Sequence, residues 1–151
     1  MNGELCSMCG RCEEVFPPTE AQHIDTPIDY ADTPPTNGSH NPCWAKWGVH
    51  TTPVLDDRWV HNLEHGGVVL LYNCPDGCAA DVTKLEQFVG SHRRTLLTPY
   101  SMMPTQFAIV AWNHRLLTNC VDDVAFAAFY DANFDHGSES EDGDPDDSCP
   151  P

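Results

Sequence analysis

Two imidazoles four residues apart with a carboxylate between them are the most chemically loaded feature of this chain, in the stretch His61-Asn62-Leu63-Glu64-His65-Gly66-Gly67. On a helical turn that spacing puts both rings on one face, where they can share one metal ion. The two glycines then let the backbone turn sharply. A third imidazole, His40, closes the run Pro34-Pro35-Thr36-Asn37-Gly38-Ser39-His40. Its prolines and Asn-Gly step fix a rigid turn, which presents the ring with little conformational freedom to lose. Three nitrogen donors with an open position is the layout of a catalytic zinc or a mononuclear copper site. Met102 and Met103, in the turn between two predicted strands, could add a soft thioether, which would favour copper over zinc. Filling of the core is the ordinary alternative use of Met102 and Met103.

The same stretch matches His-x-x-Glu-His, the inverted zinc-protease motif, in which Glu64 would be the general base. That mechanism needs a sustained helix, whereas Gly66-Gly67 ends any helix at once. Glu64 is therefore read either as a partner orienting an imidazole or as a proton acceptor for metal-bound water. In the bland reading, both histidines only hydrogen-bond the loops over the core.

Positioning these residues falls to a modest set of elements. Val68-Val69-Leu70-Leu71-Tyr72 reads as a buried central strand closed by Asn73 and Pro75. Ala79 to His92 carries Val82, Leu85, Phe88 and Val89 at helical spacing. Thr95 to Thr98 and Phe107 to Trp112 read as strands, with His114 to Leu117 extending the second. Val121, Val124, Ala125, Ala128 and Phe129 form one helix face. The order β-α-β-β-α predicts an α+β two-layer sandwich with two helices on one face, and a thioredoxin-like arrangement is the alternative. Residues 1–22 read as a disulfide-stapled segment and 23–134 as one metal-binding domain. Up to residue 60 that domain is wrapped and irregular, rich in proline and anchored by Trp44, Trp47 and Trp59. Residues 135–151 form an acidic tail.

Composition narrows the partners. Seven Lys and Arg against 23 Asp and Glu give a formal charge of −16, so phosphate-driven binding to nucleic acid is excluded as a working hypothesis. No apolar run approaches the roughly 18 residues that a membrane span needs. Eight cysteines, an even number, point to an oxidising compartment with up to four disulfides, and Cys74 and Cys78 are spaced to close the turn into the first long helix. Cys6-x-x-Cys9-x-x-Cys12 resembles half of an iron–sulfur run but lacks the fourth cysteine and proline, so disulfides are expected there too. Location outside the cytoplasm is inferred from the cysteines alone. A removed export segment, or a removed terminus that anchored the chain to a membrane, is the accompanying expectation. Glu139-Ser-Glu-Asp-Gly-Asp-Pro-Asp-Asp-Ser-Cys149 offers oxygen donors that would suit calcium, but not the six to eight of a full loop. A solvated acidic linker tied back at Cys149 is the simpler reading.

The stretches Asp32-Thr-Pro-Pro-Thr-Asn-Gly-Ser-His40, Trp44-Ala-x-x-Gly48, Trp59-Val-His-Asn-Leu-Glu-His-Gly-Gly67, Leu97-Thr-Pro-Tyr100 and Ala111-Trp112 resemble the bacterial 3105 domain-of-unknown-function family. The likeness spans about His23 to Phe134. It implies that His40, His61 and His65 belong to one signature, with His23 where the family often has a histidine, and that members are often exported or membrane-anchored. The cysteines depart from that pattern.

Together these features predict an exported protein holding one transition-metal ion through His40, His61 and His65, with His23 or Met103, copper first and zinc next. Two alternatives stand beside it: a metal-dependent hydrolase or copper oxidoreductase using Glu64, and a metal-free, disulfide-stapled interaction module whose partner the sequence does not name.

Overall fold

A computed structural model describes residues 5–146 and 148–149, so Asp147 of the acidic tail lies outside the described residues. Among the described residues nine elements follow in order: β1 (Glu14–Val15), β2 (Gly48–Val49), α1 (Asp56–Glu64), β3 (Val68–Tyr72), α2 (Ala79–Ser91), β4 (Thr95–Pro99), β5 (Phe107–Ala111), β6 (His114–Thr118) and α3 (Asp123–Asn133). The strands form one sheet in the order β1-β6-β5-β3-β4-β2. β3 runs parallel to β4 and antiparallel to β5, and β5 runs antiparallel to β6. These closing elements, a parallel β3-α2-β4 crossover, a hairpin and a last helix, are the ones a thioredoxin-like arrangement shares.

Alternation along the strands sorts the core into two clusters. Val68, Leu70, Leu97, Ile109 and Leu116 meet Leu85 and Phe88 of α2 and Phe126 and Phe129 of α3 on one face. Val69, Leu71, Leu96, Val110 and Leu117 point to the other. The predicted α+β sandwich, with α2 and α3 sharing a face, is what the chain forms. The second face is also covered, by α1 through Trp59, Val60 and Leu63 and by the segment carrying Ala45 and Trp47. His114–Thr118 is a separate strand and not an extension of its predecessor, because Asn113 takes a left-handed turn at φ 68° and folds the chain back.

The proline-rich stretch forbids helix only up to Leu55, and α1 begins directly after it. Its end is a Schellman motif: the Gly67 amide donates to the Asn62 carbonyl and the Gly66 amide to that of Leu63, with Gly66 at φ 89°. Asn62 pairs with both backbone groups of Ala45, at 2.8 and 2.9 Å, which holds the tryptophan-bearing segment against the helix. Trp47 then lies over Gly67. All eight cysteines are paired, as Cys6–Cys12, Cys9–Cys120, Cys43–Cys149 and Cys74–Cys78. The last closes the β3-to-α2 turn as predicted. The first two tie the N-terminal segment to itself and to the end of β6. Among the described residues, no helix is long and apolar enough to cross a membrane.

A side chain at residue 67 would overlap the Trp47 ring, so Gly67→Ala is expected to lower stability by about 1–3 kcal/mol in urea unfolding. Gly90 lies within α2 with nothing near its absent Cβ, and Gly90→Ala is expected to raise stability by roughly 0.5–1 kcal/mol. Asp122 caps α3 by accepting from the Ala125 amide at 3.1 Å and holds the N-terminal segment by accepting from Met8 at 2.8 Å. Those amides, Met8 first, lower its pKa. A depressed carboxylate stabilises the fold above its ordinary pKa of about 3.9 and loses that contribution as pH falls below it. Asp122→Ala should therefore cost about 1–2 kcal/mol at pH 7, and the gap to the parent should close in unfolding measured near pH 2.

Candidate metal centre

Three separate backbone pieces bring the imidazoles together. His61 comes from α1. His40 comes from the rigid turn, which is pinned at several points: Tyr30 donates to the Ser39 carbonyl at 2.6 Å, the Asn37 amide donates to Asn113 at 2.7 Å, and Gly38 takes φ 98°. His23 lies on a neighbouring extended segment, joined to His40 by a parallel bridge in which the Ile24 amide donates to the His40 carbonyl and the His40 amide to that of Gln22. The ring centroids of His23, His40 and His61 stand 4.6 to 5.2 Å apart. Imidazoles bound to one tetrahedral ion at about 2.0–2.1 Å have centroids roughly 5 Å apart.

Burial and hydrogen bonding fix what each ring can offer. His40 is 1% exposed and His61 4%, whereas His23 is exposed. His40 Nδ1 lies 2.9 Å from the Gly38 carbonyl, and His61 Nδ1 lies 2.8 Å from that of Asn41. A carbonyl oxygen only accepts, so both Nδ1 atoms carry a proton, and in each ring Nε2 is the nitrogen that can face an ion. Backbone carbonyls commonly orient metal-binding histidines in this way. Burial, with neighbouring imidazoles adding to it, pushes the His61 pKa down to about 3, so its ring is neutral near pH 7. Burial also lowers the pKa of His65.

Glu64 completes the group. Its carboxylate is buried, and Oε1 stands 3.1 Å from His40 Nε2. That nitrogen makes no hydrogen bond: in this orientation a proton on Nε2 would not be aimed at the oxygen. A buried imidazole nitrogen and a carboxylate oxygen thus face each other without a hydrogen bond, an arrangement that a cation bound between them would satisfy. One donor atom from each of His23, His40, His61 and Glu64 lies within 4.8 Å of the others.

The sequence pattern of the family described as Protein of unknown function (DUF3105) matches residues 22–148. The chain belongs to this family. No match was found among curated proteins or among solved structures.

Within this DUF3105 chain the predicted residues separate. His23, His40 and His61 converge. His65, at the C-terminal end of α1, joins a second set with Glu64 and Glu139. Met103 packs in the apolar cluster beside Trp59 and Val110 and lines a cavity with Cys74, Gln106 and Asn119 at the start of β5. That is the opposite end of the sheet from Gly66-Gly67. Met102 is exposed there, on an apolar groove of about 370 Å³ that shares no residue with the histidines. Glu64, read from sequence as a partner or base, lies among the candidate donor atoms themselves.

Sequence reasoning also missed the strap. Residues 135–142 fold back over the end of α1, where the Asp135, Glu139 and Glu141 amides donate to the carbonyls of Gly66, Glu64 and His65. Arg94, buried and left-handed at φ 51°, pairs with Asp135 and Asp142 and donates to the His65 carbonyl at 2.8 Å. Cys43–Cys149 ties the tail's far end back as expected, and Trp47 donates to the Gly143 carbonyl at 3.0 Å. Part of the acidic tail is therefore a lid packed on the histidine cluster and not only a solvated linker.

A Cβ at Gly137 would overlap the Glu64 carbonyl and the Gly66 amide. Gly137→Ala is expected to lift the strap, so the Glu139 and Glu141 amides should exchange with deuterium at least about tenfold faster, a change of roughly 1.4 kcal/mol in local opening. Unchanged exchange would mean that the strap's packing is not what protects them.

Proposed function

We propose that this protein is an extracytoplasmic metal-binding protein in which His23, His40, His61 and Glu64 hold one transition-metal ion. The observation that carries the reading is the unpartnered, buried His40 Nε2 facing Glu64 Oε1 at 3.1 Å, beside a second imidazole whose free nitrogen is also Nε2. Three imidazoles and one carboxylate form a borderline donor set without sulfur, which suits Cu(II) or Zn(II) better than Cu(I). Copper remains first, because Cu(II) heads the divalent affinity order for a given nitrogen and oxygen site. Met103, the residue that argued for a soft ion, lies elsewhere.

Four disulfides support an oxidising compartment and hence export. His23, the exposed member, is the group through which an ion would enter and leave. Glu64 serves first as a donor, so the hydrolase and oxidoreductase readings, which need it as a free base, follow only if it releases the metal.

Protein purified without a histidine tag and stripped of metal is titrated with Cu(II) and Zn(II), following tryptophan emission. The Trp44 ring lies 5.8 Å from that of His61 and 4.1 Å from that of His65, close enough for bound Cu(II) to quench it. Binding at micromolar or tighter affinity is expected. His40→Ala and His61→Ala should weaken it by more than the 10–100-fold typical of losing an outer partner, and His23→Ala by less than they do. Failure to bind either ion with micromolar affinity would leave the metal-free interaction module as the reading.

A further inference from the structure

The second donor set is not a remote cluster: Glu64 belongs to both. One donor atom from each of Glu64, His65 and Glu139 lies within 4.8 Å of the others. His65 is buried, and its Nδ1 has no hydrogen-bond partner, the nearest carboxylate oxygen being Glu141 Oε2 at 3.8 Å. A buried ring nitrogen without a partner costs free energy comparable to a lost hydrogen bond, and this one stands beside the Glu141 carboxylate on a ring that shares a donor group with Glu64 and Glu139.

Glu64 faces two ways. Oε1 lies against His40 Nε2, while Oε2 is 3.4 Å from the Ser138 hydroxyl on the strap, the segment that brings Glu139. The rings of His61 and His65, one from each set, have centroids 4.5 Å apart. The nearest guanidinium, Arg94, is already engaged by Asp135 and Asp142. Among the described residues, Glu139 has no lysine or arginine against its carboxylate. Among the described residues, the carboxylates of Glu64 and Glu139 that stand with His65 thus have no guanidinium or ammonium paired with them.

We infer that the centre is dinuclear: Glu64 bridges two divalent cations, the first held by His23, His40 and His61 and the second by His65 and Glu139. Paired ions in such sites stand about 3.5–4 Å apart. The inference rests on the mononuclear reading for its first position and adds the second. Closure of the strap, with the Glu139 amide on the Glu64 carbonyl at 2.9 Å, assembles the second position, so its occupancy depends on residues 135–142 lying over α1.

Native mass spectrometry of metal-free protein titrated with Zn(II), and electron paramagnetic resonance of the same protein titrated with Cu(II), test this directly. Two Zn(II) per chain are expected at saturation, and the second Cu(II) should broaden and attenuate the signal of the first through spin coupling. His65→Ala and Glu139→Gln should each bind one ion, with the first affinity kept within about threefold; Glu139 is exposed, so that variant keeps the fold. Glu64→Gln should weaken both positions. One ion per chain in the parent overturns the dinuclear centre and leaves the mononuclear reading standing. So do two ions whose spins add as isolated centres, or a second ion indifferent to both His65→Ala and Glu139→Gln. No bound ion overturns both readings.

Discussion

His40 Nε2 and a carboxylate oxygen of Glu64, both buried, stand 3.1 Å apart without a hydrogen bond between them. The His40 ring is fixed by its Nδ1 proton on the Gly38 carbonyl, and the Glu64 backbone is fixed between the Schellman turn of α1 and the strap. Taking both groups out of water without a hydrogen bond between them is costly, and a cation bound by both would offset that cost. The surrounding architecture serves to keep that pair in place: the proline-bounded turn, the Asn62 clamp on Ala45, and Trp47 packed over Gly67.

The scaffold is more conventional. A parallel crossover and a hairpin build a sheet whose two faces are filled by alternate side chains, and the cluster sits at one end of it, next to the glycines that link α1 to β3. The disulfides fasten what has little core of its own. Two of them tie down the N-terminal segment, and a third anchors the tail that lies over the histidines. An acidic chain with a formal charge of −16 would resist folding its own tail onto a buried carboxylate, and Arg94 supplies the local positive charge that offsets this repulsion.

The strands from Val68 onward, the two later helices and the imidazoles of His40 and His61 were legible in the sequence, because period-2 and period-3.6 patterns and a proline-fixed turn are local signals, whereas His23 entered only through the family resemblance. Local patterns do not extend to the rest. α1 was hidden by the prolines before it, since His61, Asn62, Glu64 and His65 break its apolar face, and they are buried by the polar and aromatic groups that pack over them. Met103 looked like a donor by residue type, but it is buried in an apolar cluster and lines a cavity at the Tyr72 end of the sheet, opposite Gly66-Gly67. The strap was illegible because its acids resemble a solvated linker until Arg94, 41 residues before Asp135, is placed beneath them. The Gly66-Gly67 stop, read as evidence against a helix-borne motif, is the cap that ends such a helix.

X-ray absorption spectroscopy of the protein carrying one equivalent of Cu(II) tests the central claim most directly, because it counts the atoms around the ion. A shell of nitrogen and oxygen donors at about 2.0 Å, with the outer-shell scattering of three imidazoles and none from sulfur, is the predicted result. A bound ion with one imidazole or none, or with a sulfur donor, would contradict it.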